Sequence, residues 1–254
     1  MQVIRENVMV ALANIAGHTE LGHQPESLVR PLMSGLLEWA VSPAAAAQDS
    51  FPHVGPHSPI SPQRLAIEAL CKLCVQVRPA AAAHRELIVT LVLFQEHNVD
   101  LLLSTPPFSR IEKLCGFLSK KLYRSEDQVL REFAINLLFY FSQADSGVAR
   151  TIALQENTIS LLIGFIEQAE SNALLVAQQH GVNALRDNPD SMGTSLDMLR
   201  RAANTLHYLS RHPDNKTMFV KHEERLLNLV MSQILDQGVA SIISQVLFQV
   251  TTSS

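Results

Sequence analysis

Residues 129–141 read VLREFAINLLFYF, and how this stretch is read decides the fold. Counting from Ala134, Leu138 lies four residues on and Phe141 seven, which places all three on one face of a 3.6-residue period. The same small-then-large series recurs as Val8, Leu12, Ile15, then as Ala66, Leu70, Leu73, and again as Ala202, Leu206, Leu209. The first members of these series stand 58, 68 and 68 positions apart. Near-regular spacing with loops of differing length predicts four related helix-containing units stacked in a row. Each would bury a face that one unit alone could not cover.

The opposite side of each helix carries a second series, at minus two, plus two and plus six from the anchor. It gives Arg64, Glu68 and Lys72 in the second copy, Glu132, Asn136 and Tyr140 in the third, and Arg200, Asn204 and Tyr208 in the fourth. The first copy, with Glu6, Val10 and Asn14, follows only in part. Residues four apart share a helix face, so side-by-side stacking would align these positions into a ladder. One reading is the wet face of ordinary amphipathic helices. The other is a protein-binding ladder in which Glu68, Lys72, Glu132, Asn136, Tyr140, Arg200, Asn204 and Tyr208 are the contact candidates, with the two tyrosines supplying large amphipathic area.

Composition supports a surface that partners cover. Of the 254 residues 47% are hydrophobic and only 17% charged, a low share for a free-standing soluble domain. The net charge of −4 argues against a nucleic-acid stripe. Local basic groups occur at Arg110, Lys113, Lys120, Lys121 and Arg124 and at Arg200, Arg201 and Arg211, with acidic residues interspersed, so no direct DNA binding is expected. Cys71, Cys74 and Cys115 are odd in number and form no short-range disulfide framework, which favours a reducing compartment. MQVIREN is not a signal peptide, no run reaches the roughly 20 apolar residues of a membrane span, and the chain reads as a fragment that begins inside a repeat.

In chain order, 3–16 make the first periodic helix, which Gly17 is placed to end. Residues 26–41 follow as a helix with Leu28, Leu32, Leu36 and Ala40 near one face, interrupted by Pro31 and Gly35, and Trp39 is expected in the core. Five prolines and a glycine make 42–62 a loop. After the repeat helix 63–75, residues 80–98 are a plausible helix, with 76–95 reading as an insertion, and NVDLLLSTPP leads to a helix over IEKLCGFLSKKLY at 111–123. Ser125-Glu126-Asp127 is placed to cap the third repeat helix. Short and long helices then follow at 145–154 and 157–169, a loop-containing connection at 170–194, and a capping box at Thr194 and Asp197. Beyond the fourth repeat helix, 213–221, 222–236 and 238–250 repeat the short, long, long order. No segment alternates with period two, so the fold class is all-alpha: an alpha-solenoid forming a single repeat domain over 1–254.

Chemistry finds little purchase. Cys71-x-x-Cys74 is the one metal-like spacing, yet two thiolates are half a tetrahedral site and no nearby Cys or His pair completes it. No phosphate cradle or nucleophile turn occurs. The expectations are therefore no enzyme activity, no cofactor, no metal and no small-molecule ligand. Two binding classes remain: a scaffold gathering several proteins, or an armadillo-type adaptor holding one extended peptide in its concave groove.

A family resemblance adds to this. VIRENVMVALANIAG at 3–17, LLEWAVSPAAAAQDSF at 36–51, SPQRLAIEALCKL at 61–73 and NVDLLLSTPPFSRIEKL at 98–114 are followed by VARTIALQENTISLLIGFIE at 148–167, LDMLRRAANTLHYL at 196–209 and the closing SQVLFQV. In this order they resemble the C-terminal armadillo-like domain of the Osa-type subunits, which carry an AT-rich-interaction domain, of SWI/SNF (BAF-type) chromatin-remodelling complexes. The resemblance implies an armadillo-like fold of about four irregular repeats and a non-catalytic scaffold in the nucleus. It also implies contacts with other core subunits and with the helical region of the remodelling ATPase. Residues 76–95, VRPAAAAHRELIVTLVLFQ and its edge, read as extra material relative to that pattern.

Overall fold

The computed structural model describes residues 8, 11–16, 24–41, 62–74, 97–123 and 127–252. Of the loop expected at 42–62 all but Pro62, which begins a helix, lies outside the described residues, as does the insertion expected at 76–95. Among the described residues all regular structure is helical.

The stretch 129–141 lies within helix α4, Gln128–Ala144, and its apolar series does what the spacing requires: Ala134, Leu138 and Phe141 are buried, with Leu130, Ile135 and Leu137. Asp127 starts α4, its carboxylate accepting from the Leu130 amide at 3.0 Å, so the expected cap is the third of the three acidic and hydroxyl residues. The matching series is buried in α2, Pro62–Cys74, and in α8, Leu196–Arg211. A further helix, α11 at Gln237–Thr251, carries Val239, Ile243 and Val246 at the same spacing, all buried. α2, α4, α8 and α11 pack each on the next and form an inner row.

An outer row covers the apolar side of the inner one. Helix α1, Glu26–Val41, lies on α2; α3, Ser109–Lys120, on α4; α6, Thr158–His180, on α8; and α10, Glu223–Val230, on α11. Short helices fill the corners: α5 at Ser146–Ala153, α7 at Val182–Asp187 and α9 at Lys216–Val220. The result is a two-layer stack with one continuous core, the packing pattern of an alpha-solenoid.

Several expectations need correction. In the first copy Val8 and Ile15 are exposed, while Ala13 and Ala16 are buried and Leu12 packs partly against the core, so only the middle member of the expected series faces inward. In α1 the buried residues are Val29, Met33, Leu36, Leu37 and Ala40, leaving Leu28 outside the core. Pro31 does not interrupt α1; it sits on the exposed side, where the carbonyl it leaves unpaired meets water. Trp39 is half-buried and packs against the core. The helix of 157–169 continues to His180, because nothing in 170–180 breaks it before Gly181 takes a positive φ of 81°. The helix expected over 222–236 stops at Val230, where the Ser232 hydroxyl accepts from the amides of Ile234 and Leu235 and offers the backbone a turn instead. Ser195, not Thr194, caps α8 through the Met198 amide at 3.2 Å. Asp197 instead pairs with Arg201 at 2.8 Å.

Among the described residues α6 is long and apolar enough to cross a membrane. In this fold its Ile159, Leu162, Ile163 and Ile166 are core residues, and its Glu167 is bound to Arg225 of α10.

Candidate protein-binding surface

The inner row has four sides. Its apolar anchors are buried in the core, its flanks meet the preceding and following inner helices, and the side at minus two, plus two and plus six is half-buried in α2 and α4, half-buried apart from exposed Arg200 in α8, and exposed in α11. All eight ladder candidates lie on that side. In α11 the same positions are Gln237, Ser241 and Gln245, all exposed. Sequence reading missed this rung because Val239 replaces the small first residue of the series and stands only 37 positions beyond Ala202 (239 − 202).

The ladder residues are half-buried across the middle of the row and largely engaged. Glu68 and Lys72 form an ion pair at 2.6 Å, and the Lys72 ammonium also donates to the Ala13 carbonyl at 2.9 Å, tying α2 to the helix before it. Glu132 accepts from Gln128 at 3.2 Å. Arg200 reaches Asp236, the cap of α11, at 3.4 Å, and the Asn204 amide donates to the Arg200 carbonyl at 2.9 Å.

The densest cluster spans the α4–α8 seam. Arg201 donates to the Asn136 side-chain oxygen, pairs with Asp197, and holds its guanidinium 5.7 Å from the Tyr140 ring centroid. Phe139 lies edge-on to Tyr140 at 4.9 Å and tilted towards Tyr208 at 6.1 Å between centroids, so both ladder tyrosines flank one aromatic side chain. Arg201 was not a ladder candidate. It stands one position from the polar series, and only its partner on another helix, 65 residues earlier, shows what it does.

On the α2–α4 seam, Arg64 meets the Asp127 carboxylate at 3.1 Å. The Leu130 amide, together with Arg64, holds that carboxyl below the usual carboxylate range. Cys71 is buried beside Asn136, and burial pushes its thiol up to about 12; burial likewise raises Cys74, and Cys115 to about 12. Thiols held neutral by burial are weak nucleophiles. Among the described residues no group of three His, Cys, Asp or Glu side chains converges to hold a metal.

Helices stacked in two layers over one core, with a polar side along the inner row, define a helical-repeat protein. The chain belongs to the family of BAF250/Osa subunits of SWI/SNF-like complexes, whose family model matches residues 1–199. The Trithorax group protein osa of Drosophila melanogaster is 60% identical over 248 residues, covering 98% of this chain and 8% of that protein. The osa protein of Drosophila yakuba is 66% identical over 112 residues, 44% of this chain and 35% of that protein. The chain thus spans well under half the length of either relative.

Proposed function

We propose that this domain is a non-catalytic scaffold that binds other core subunits of a SWI/SNF-type remodelling complex in the nucleus. Its armadillo-like repeats hold those subunits for transcription regulation, with the helical region of the remodelling ATPase among the contacts. What supports this reading is the polar side of the inner row, whose positions among the described residues are half-buried in α2 and α4, half-buried or exposed in α8 and exposed in α11. Large surfaces on rigid repeats suit assembly, since each repeat is held only by its neighbours and presents its own patch.

The adaptor alternative fits less well. An extended peptide would need free side-chain amides to pair with its backbone. The Asn136 oxygen is taken by Arg201 and the Asn204 amide by its own helix. Tyr140 and Tyr208 remain as the apolar contact area of the face, with Glu68, Lys72, Glu132 and Arg200 as its charged rim.

Co-expression with the core subunits, followed by size-exclusion chromatography, tests the proposal. Several subunits should co-elute in stoichiometric amounts, and Tyr140→Ala with Tyr208→Ala should weaken assembly more than it lowers the melting temperature. Recovery of one short linear-motif ligand and nothing else would refute the scaffold.

A further inference from the structure

A second surface lies on the outer row and uses different chemistry. Helix α3 turns Ile111, Leu114, Cys115 and Leu118 into the core. Lys113 and Lys120 therefore point outward, two turns apart and about 10 Å along the axis. Phe117 sits half-buried between them, with the Lys121 ammonium 5.0 Å from its ring centroid. An exposed aromatic ring, Tyr123 at 40%, stands beyond the C-terminal end of the ridge. The Tyr123 hydroxyl accepts from Asn157 at 3.4 Å, which fixes one end.

Charge sets this ridge apart from the rest of the chain. Residues 109–123 hold four cations (Arg110, Lys113, Lys120, Lys121) and one acid (Glu112), net +3, in a chain of net −4. Arg110 is engaged with the Ser34 hydroxyl of α1 at 3.2 Å. Among the described residues Lys113 and Lys120 have no hydrogen-bond or ion-pair partner. A lysine pair on either side of the half-buried Phe117 ring, with exposed Tyr123 beyond its C-terminal end, offers charge and apolar area together, which is what distinguishes a recognition ridge from a merely solvated face.

We propose that the α3 ridge docks an acidic partner segment in which carboxylates alternate with aromatic or aliphatic side chains. The carboxylates pair with Lys113 and Lys120, and the apolar side chains lie on Phe117 and Tyr123. A nucleic acid suits the ridge less well: its phosphates need a continuous cationic track, whereas Glu112 and the exposed Glu156 interrupt this one.

The test uses the whole chain and three fluorescent probes: a synthetic peptide alternating Glu and Asp with Leu and Phe, its counterpart with Lys for each acid, and a short DNA duplex. The acidic peptide should bind, weakening as salt rises, and Lys113→Glu with Lys120→Glu should lower its affinity by about tenfold. Both lysines are exposed, so the melting temperature should not move, and Tyr123→Ser should weaken binding without altering its salt dependence. The proposal is overturned if the acidic peptide fails to bind, if charge reversal leaves its affinity intact, or if the duplex binds more tightly and is lost on the same reversal.

Discussion

Replacing Arg201 by alanine should uncouple α8 from α4 at the centre of the inner row. The guanidinium donates to Asn136, pairs with Asp197 and faces the Tyr140 ring, and its side chain is only 20% exposed. A hydrogen bond from a charged donor contributes about 1.5–3 kcal/mol. An i,i+4 ion pair adds about 0.3–0.5 kcal/mol, and a partly exposed cation–π contact about 0.5–1 kcal/mol. These contributions overlap, and the expected net loss is about 2–3 kcal/mol, or roughly 4–12 °C in melting temperature for a chain of this size. Urea unfolding followed by circular dichroism measures it. A double-mutant cycle with Asn136→Ala should return a coupling of about 1–2 kcal/mol. Arg201→Lys, which keeps the charge and loses the fork, should recover only part of the loss. If the two alanine substitutions add to within about 0.5 kcal/mol, Arg201 does not link the helices and the seam rests on apolar packing alone.

Two further outcomes follow from burial. Phe141→Ala removes a fully buried ring from the helix that the stack is built around and should cost about 3–5 kcal/mol by urea unfolding, whereas Val129→Ala, on the exposed side of the same helix, should cost little. His207 and His222 are held below their ordinary 6.5 chiefly by burial, with Arg211 beside the first and Arg225 and Lys221 beside the second. The unfolded chain therefore binds more protons than the folded one as pH falls through 6.5, so stability should drop on acidification across that window. His207→Gln with His222→Gln should flatten the slope of melting temperature against pH, and an unchanged slope would assign it to other groups.

The repeat was legible where a small residue and two large ones share a face, as in α2, α4 and α8, because burial of that face is the strongest constraint on a stacked helix. It was not legible where the same face is built differently. Val239 opens the α11 series with a β-branched residue, and the first copy buries Ala13 and Ala16 beneath a neighbour the linear pattern does not reveal. Helix ends failed for local reasons: Ser232 bonds to amides ahead of it and ends α10, while α6 meets no breaker until Gly181. On the candidate surface, the side on which Asn136, Tyr140 and Tyr208 lie was readable from period alone. That Asn136 is already bound to Arg201 was not, because it depends on how close two helices pack.

The seams explain why such a stack keeps its spacing. Apolar faces between helices are non-directional and tolerate sliding, whereas an arginine fork fits its partner at one distance and angle. Arg64 to Asp127 joins α2 to α4, Arg201 to Asn136 joins α4 to α8, and Arg200 to Asp236 joins α8 to α11. In the outer row Arg110 to Ser34 joins α1 to α3, and Arg225 binds Glu167 at 2.6 Å and Ser160 at 2.8 Å to join α6 to α10. At Asp127 one carboxylate both caps α4 and receives Arg64, so the start of a rung and its distance from the previous rung are set by the same atom. A scaffold that offers partners several patches must hold those patches at fixed separations. In a stack where each unit touches only its neighbours, that separation is the sum of its seams.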